Sequence, residues 1–178
     1  MYPHNKKIKR WEIAGIFWII IVGSLLHFTY EWSNKSLIVV LFSSVNESVW
    51  EHFKLGYWAL AFFMLIEYWF IKDYTNSFFL AKTIGILAMN LFIVIVFYSY
   101  TAIVKEPILI IDIVSFIAGA ILCQFISLKI MKKSVSNIAN KIGLVVFILI
   151  GAILILFTFY PLHLPIFKDS NTGKYGIE

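Results

Sequence analysis

Apolar positions run along this chain in five long stretches, at about 12–33, 45–72, 78–104, 108–131 and 142–160, with short polar breaks between them. A helix rises about 1.5 Å per residue, so roughly 20 apolar residues cross the ~30 Å hydrocarbon core of a bilayer. Each stretch meets that length. None alternates with the period of two that barrel strands show, and backbone groups in lipid must bond within their own segment, so the stretches are helices. The pattern predicts an all-α fold: a polytopic membrane helix bundle of five transmembrane helices in one integral-membrane domain over residues 1–178. A sixth apolar run, Leu37 to Phe42, spans only about 9 Å as helix and cannot cross. It predicts a short re-entrant or interfacial segment at 37–44. The polar sequence Ser43-Ser44-Val45-Asn46-Glu47-Ser48 follows and leads into the second stretch with no Gly or Pro break, so the second helix begins outside the hydrocarbon.

Composition sharpens the assignment. Apolar residues make up 61% and charged residues 14%, with a mean hydropathy of +0.86, which leaves too little polar surface for a water-soluble globule. Cys123 is the only cysteine, which excludes disulfide scaffolds, zinc fingers and dithiol redox motifs. The net charge of +5 comes from short basic clusters between apolar runs, a membrane-flank pattern and not a nucleic-acid groove. Placing the N-terminus in the cytoplasm puts nine flanking Lys and Arg on that side (Lys6, Lys7, Lys9, Arg10, Lys72, Lys129, Lys132, Lys133, Lys141) against five opposite (Lys35, Lys54, Lys105, Lys168, Lys174). The positive-inside rule therefore predicts a cell-membrane protein with its N-terminus cytoplasmic and its C-terminus extracellular. The first span resembles a signal-peptide core, but His27, Phe28, Tyr30 and Trp32 follow it and no small-x-small site appears, so it reads as an uncleaved anchor.

The ionisable residues gather by depth. His27 and Glu31 lie late in the first stretch, Glu47, Glu51 and His52 at the start of the second, Asp112 early in the fourth, and His163 just beyond the fifth. All fall toward the outer side. Charges in a span normally face the bundle interior, pair, or line a wet cavity, so a shared outward-facing pocket would satisfy the whole set. His27 and Glu31 are four residues apart, as are Glu47 and Glu51, so each pair shares a helical face. Asp112 continues a stripe of Ser115, Gly119 and Cys123, the kind of face on which membrane helices approach closely. His27, Glu31, Glu51 and Asp112 are the candidate catalytic residues. His27, Glu31, Glu47, Glu51, His52 and His163 are the candidate ligands for zinc or another divalent cation. Ordinary structural roles compete: Ser44 and Glu47 have capping-box spacing, His52 and Lys54 suit a headgroup layer, His163 suits a solvated loop, and Glu67 can pair with Lys82. Asn90 and Gln124 suit interhelical hydrogen bonding.

The blocks H-F-T-Y-E-W at 27–32, V-N-E-S-V-W-E-H-F-K-L at 45–55, Y-P-L-H-L-P-I-F-K-D at 160–169 and G-K-Y-G at 173–176 resemble an uncharacterised family of bacterial multi-pass membrane proteins. That resemblance covers nearly the whole chain and implies no activity. The His27-x-x-x-Glu31 pair in a five-helix bundle is also similar to the sterol isomerases of the emopamil-binding group, in that spacing and helix count alone.

Three functions fit these residues. The first is a metal-dependent or acid–base enzyme acting on a lipid or amphipathic substrate. The second is a module that binds or transports a cation, a proton or a small solute. The third is a structural membrane subunit. An H-E-x-x-H motif and a serine elbow are both missing, so neither a zincin nor a serine hydrolase is indicated. The expected partners are membrane lipids and a lipid or small-molecule ligand.

Overall fold

A computed structural model describes residues 3–177. Five helices follow in order: α1 (Pro3–Trp32), α2 (Val49–Ile71), α3 (Phe78–Val104), α4 (Leu109–Met131) and α5 (Asn137–Phe159). Single 3-10 turns lie at Val39–Leu41, Lys72–Tyr74 and Pro165–Phe167. Among the described residues there is no strand, only an isolated antiparallel bridge between Lys168 and Tyr175. All five helices are long and apolar enough to cross a membrane, and Phe17, Ile21, Leu65, Leu91 and Ile103 are exposed along their outer faces. The chain is a multi-pass membrane protein.

The bundle has two ends. One, here the proximal end, carries the start of α1 with the α2–α3 and α4–α5 connections, which are tied together where the Asn76 side-chain amide donates to the Val135 carbonyl at 2.8 Å. The distal end carries the α1–α2 connection and the tail after α5, joined where the Glu47 N–H donates to Asp169 Oδ2 at 2.8 Å. Helices α3 and α4 form one broad pair and α1 packs on α2 and α4, while α5 closes against α3. That last contact is backbone on backbone: a Cβ on Gly143 would lie 2.5 Å from Leu80 Cα. Asn140 of α5 also caps α3, its Oδ1 accepting from the N–H groups of Phe79 and Leu80, two of the orphan donors of a helix start.

Three boundaries depart from the apolar runs. Helix α1 begins nine residues earlier than 12 and α5 five earlier than 142, because hydropathy finds only the part of a helix that meets hydrocarbon. Helix α2 begins at Val49 and not at 45, since Ser48 is its cap and accepts from the Glu51 N–H at 3.3 Å. The capping signature is thus Ser48-x-x-Glu51, one turn later than Ser44-x-x-Glu47. The run at 37–44 forms a short segment of its own between α1 and α2. It is a 3-10 turn with Leu37 and Ile38 exposed and Val40 buried, pinned where Ser43 accepts from the Tyr30 N–H and donates to the Leu26 carbonyl.

Candidate metal centre

The distal end brings together three side chains from two helices and the loop between them. His27 stands on the last turns of α1, Glu47 in the loop just before α2, and His52 on the first turn of α2. His27 Nε2 lies 3.5 Å from Glu47 Oε1, and His52 Nε2 lies 3.5 Å from Glu47 Oε2. One donor atom from each residue falls within 4.8 Å of the other two, and the two imidazole centroids are 5.4 Å apart. The side chains of His27, Glu47 and His52 are 29%, 39% and 28% exposed, so the group is open to solvent on one side.

Local hydrogen bonds orient the donors. His52 Nδ1 is 2.8 Å from the Ser48 carbonyl, which can only accept, so Nδ1 carries a hydrogen and Nε2 is the ring nitrogen turned toward Glu47. This is the backbone contact that metal-ligating histidines use to fix tautomer and ring direction. Glu47 is held through its backbone by the tail: its N–H donates to Asp169, and its carbonyl accepts from Ser170 Oγ at 2.9 Å. Asn46 Nδ2 donates to the Gly176 carbonyl at 2.8 Å. Asp169 in turn accepts from the N–H groups of Asn171 and Thr172. Burial pushes the Asp169 carboxyl up, but the N–H groups of Thr172, Glu47 and Asn171 outweigh it and hold the group below the usual carboxylate range. The polar contact with His27 likewise holds Glu47 low, against the opposing effect of burial and with help from the His52 charge.

The two 3.5 Å contacts end on different oxygens of Glu47, and one donor from each residue lies within 4.8 Å of the others. A tetrahedral zinc ion sits at ~2.0–2.2 Å from N and O ligands, which spaces its donors about 3.3–3.5 Å apart. Two histidines and a carboxylate would supply three ligands to such an ion and leave further positions open.

Other sequence candidates lie elsewhere. Glu31 is exposed, and no ion pair joins it to His27 among the described residues, so the His27–Glu31 pair and the sterol-isomerase likeness built on it lack a geometric basis. The nearer acid for His27 comes from the loop, which helical spacing alone does not reveal. Glu51 turns inward: its Oε2 lies 2.7 Å from Lys54 Nζ, and its Oε1 accepts from Thr158 Oγ1 at 2.6 Å. Lys54, which sequence places among headgroups, is fully buried and also donates to the Val40 carbonyl at 2.8 Å. His163 is exposed and packs its ring on Tyr175 at 4.8 Å. Asp112 is half-buried and accepts from Tyr100 Oη at 2.8 Å, within electrostatic reach of His52 and Glu47. Beside Asp169 lies an open cleft of about 390 Å³, lined by Val49, Phe97, Pro165 and the tail.

The four sequence blocks noted above therefore meet at one place, where the 27–32 and 45–55 blocks supply the donors and the 160–176 blocks hold the loop. A family model covers residues 1–177 and describes a family of unknown function, DUF6512. The chain belongs to that family. No curated protein and no solved structure matches it. Membership in DUF6512 accounts for the breadth of the resemblance and assigns no chemistry to the centre.

One group escapes the sequence reading. Glu12 is buried in the proximal half beside Lys82, with Glu67 on the other side of the same ammonium. Glu12 stands two residues after Arg10 at the foot of the first span. Its distance in sequence from Lys82, 70 residues, hides the pairing. A lone carboxylate inside an apolar run is the available signal.

Proposed function

We propose that this membrane protein binds one divalent transition-metal ion, zinc by ligand type, through His27, Glu47 and His52 at the distal boundary of the bilayer. The reading extends to a metal-dependent enzyme acting on a lipid or amphipathic substrate. The observation that carries it is the convergence of three donor atoms within 4.8 Å of one another, with the His52 ring oriented by Ser48. A metal held there would supply Lewis-acid activation of a water or of a substrate oxygen. The chain's own residues do the rest: His27 and His52 offer ring nitrogens, Glu47 offsets the charge of the ion, and the Asp169 clamp keeps the Glu47 backbone in register. The apolar surface beside the centre, where Phe28 and Trp32 are exposed on the same end of α1, suits the chains of a lipid substrate. The lysine and arginine balance supports an extracellular distal end.

A second reading, capture of a cation without turnover, is favoured by one observation: Asp112, a further carboxylate within electrostatic reach, has its Oδ1 taken up by Tyr100 Oη.

The test is elemental analysis of full-length protein purified in detergent without chelators and after addition of zinc. The expected result is a stoichiometric metal that is lost in His52→Ala and in Glu47→Gln while Glu31→Gln retains it. Metal-free wild-type protein after zinc addition, or full retention in His52→Ala, overturns the assignment.

A further inference from the structure

The proximal half of the bundle holds a second group of charges, sealed from solvent. Lys82 of α3 is fully buried, as is Glu67 of α2, and Glu12 of α1 is 2% exposed. Lys82 Nζ lies 2.7 Å from Glu67 Oε2 and 3.0 Å from Glu12 Oε1. From α4, Gln124 Oε1 accepts from Lys82 at 3.0 Å and Ser127 Oγ donates to Glu12 Oε1 at 3.0 Å. Cys123 is the other titratable group beside the ammonium, and it is buried and free.

The charge count does not close. Two carboxylates face one ammonium, which would leave a net negative charge in a dry interior. A buried ion without full compensation takes up or releases a proton in preference to staying charged. The hydrogen bonds fail to close at the same place. Among the described residues, Glu12 Oε2 and Glu67 Oε1 have no hydrogen-bond donor, and Gln124 Nε2, on a side chain 1% exposed, has no acceptor. The missing element is one positive charge that also donates a hydrogen bond.

We propose that Glu12, Glu67 and Lys82 form a buried proton-binding site, in which the two carboxylates share one exchangeable proton beside the ammonium. A proton brings the cluster to neutrality and removes one of the carboxylate oxygens that lack a donor. A metal cation fits less well, because the ammonium already occupies the space between the oxygens and Gln124 Nε2 offers a donor where a cation needs an acceptor. The space is tight as well: a Cβ on Gly15 would fall 1.7 Å from Gln124 Nε2. An open cleft of about 490 Å³ lies at the proximal end, lined by Lys6, Lys7, Arg10 and Trp11, the last of these next to Glu12 in sequence. The cluster shares no residue with the distal donors, so its fate is independent of the metal assignment.

Infrared spectroscopy of the full-length protein in detergent at neutral pH tests this through the C=O stretch of a protonated carboxylic acid. The expected result is an acid band in wild-type protein that shifts in D2O, is lost in Glu12→Gln or in Glu67→Gln, and survives in Asp112→Asn. Each single glutamine variant keeps the cluster neutral and should melt close to wild type, whereas the double variant strands Lys82 and should melt well below it. An absent acid band in wild type overturns the proposal without need of any variant. So does a band lost only in Asp112→Asn. A sodium-dependent rise in melting temperature that vanishes in Glu67→Gln would make the occupant a metal ion and overturn it too.

Discussion

The two buried lysines of this bundle sit in opposite electrostatic situations. At the distal end Lys54 faces one carboxylate, and every partner is complete: Glu51 Oε2 takes the ammonium and the Val45 N–H, Glu51 Oε1 takes Thr158, and Lys54 also bonds Val40 and Thr158. At the proximal end Lys82 faces two carboxylates, and buried oxygens are left without donors. The first arrangement is a staple that ties the 33–48 connection to α2 and α5. The second keeps room for a proton. Burial alone does not separate structural from chemical charges; the completeness of their partners does.

Breaking the comparison at its strongest point means removing a lysine. Lys82→Met leaves two carboxylates around an empty centre, and by the usual penalty for an unpaired buried charge it should lose about 3–5 kcal/mol or fail to fold. The thermal midpoint in detergent reports this. Lys54→Met should fall in the same range, but Glu51→Met combined with Lys54→Met should recover much of the loss, because apolar replacement of a complete buried pair is often close to neutral. The matching triple replacement at the proximal end is not equivalent, since it also strands Ser127 and Gln124. Failure of the distal double variant to recover would show that the staple's bonds to Val40 and Thr158 matter more than its charges.

Smaller effects sharpen the picture. Gly143→Ala forces a methyl into the Leu80 backbone and should cost about 1–3 kcal/mol, as overpacking does, read as a lower midpoint with the distal metal content unchanged. Asp169→Asn keeps the shape but weakens charge-assisted bonds to Glu47, Asn171 and Thr172; about 1 kcal/mol is expected, together with weaker metal retention. Glu31→Gln, at an exposed position, should change stability by no more than about 0.5 kcal/mol.

The helices are legible because lipid imposes a length and an apolar composition on each, and the apolar runs match α3 and α4 to within a residue at both ends. The donors His27, Glu47 and His52 are also within reach, since charged residues near spans are few and depth alone groups them. Pairing is not legible. His27 meets Glu47 in place of Glu31 because the loop folds back across the end of α1, a consequence of Ser43 bonding Tyr30 and Leu26. Glu51 goes to Lys54 because α5 brings Thr158 against it from 107 residues away. Glu12 is hidden for the same reason, its partners lying on three other helices.

The tail that grips Glu47 sets the order in which the distal centre matures. All three donors precede the tail in synthesis, and Asp169 follows Glu47 by 122 residues, a gap of roughly 6–24 s at the usual translation rate of about 5–20 residues per second. During that interval the loop that carries Glu47 is made but untethered, so the Asp169 clamp closes only after the fifth helix has been made.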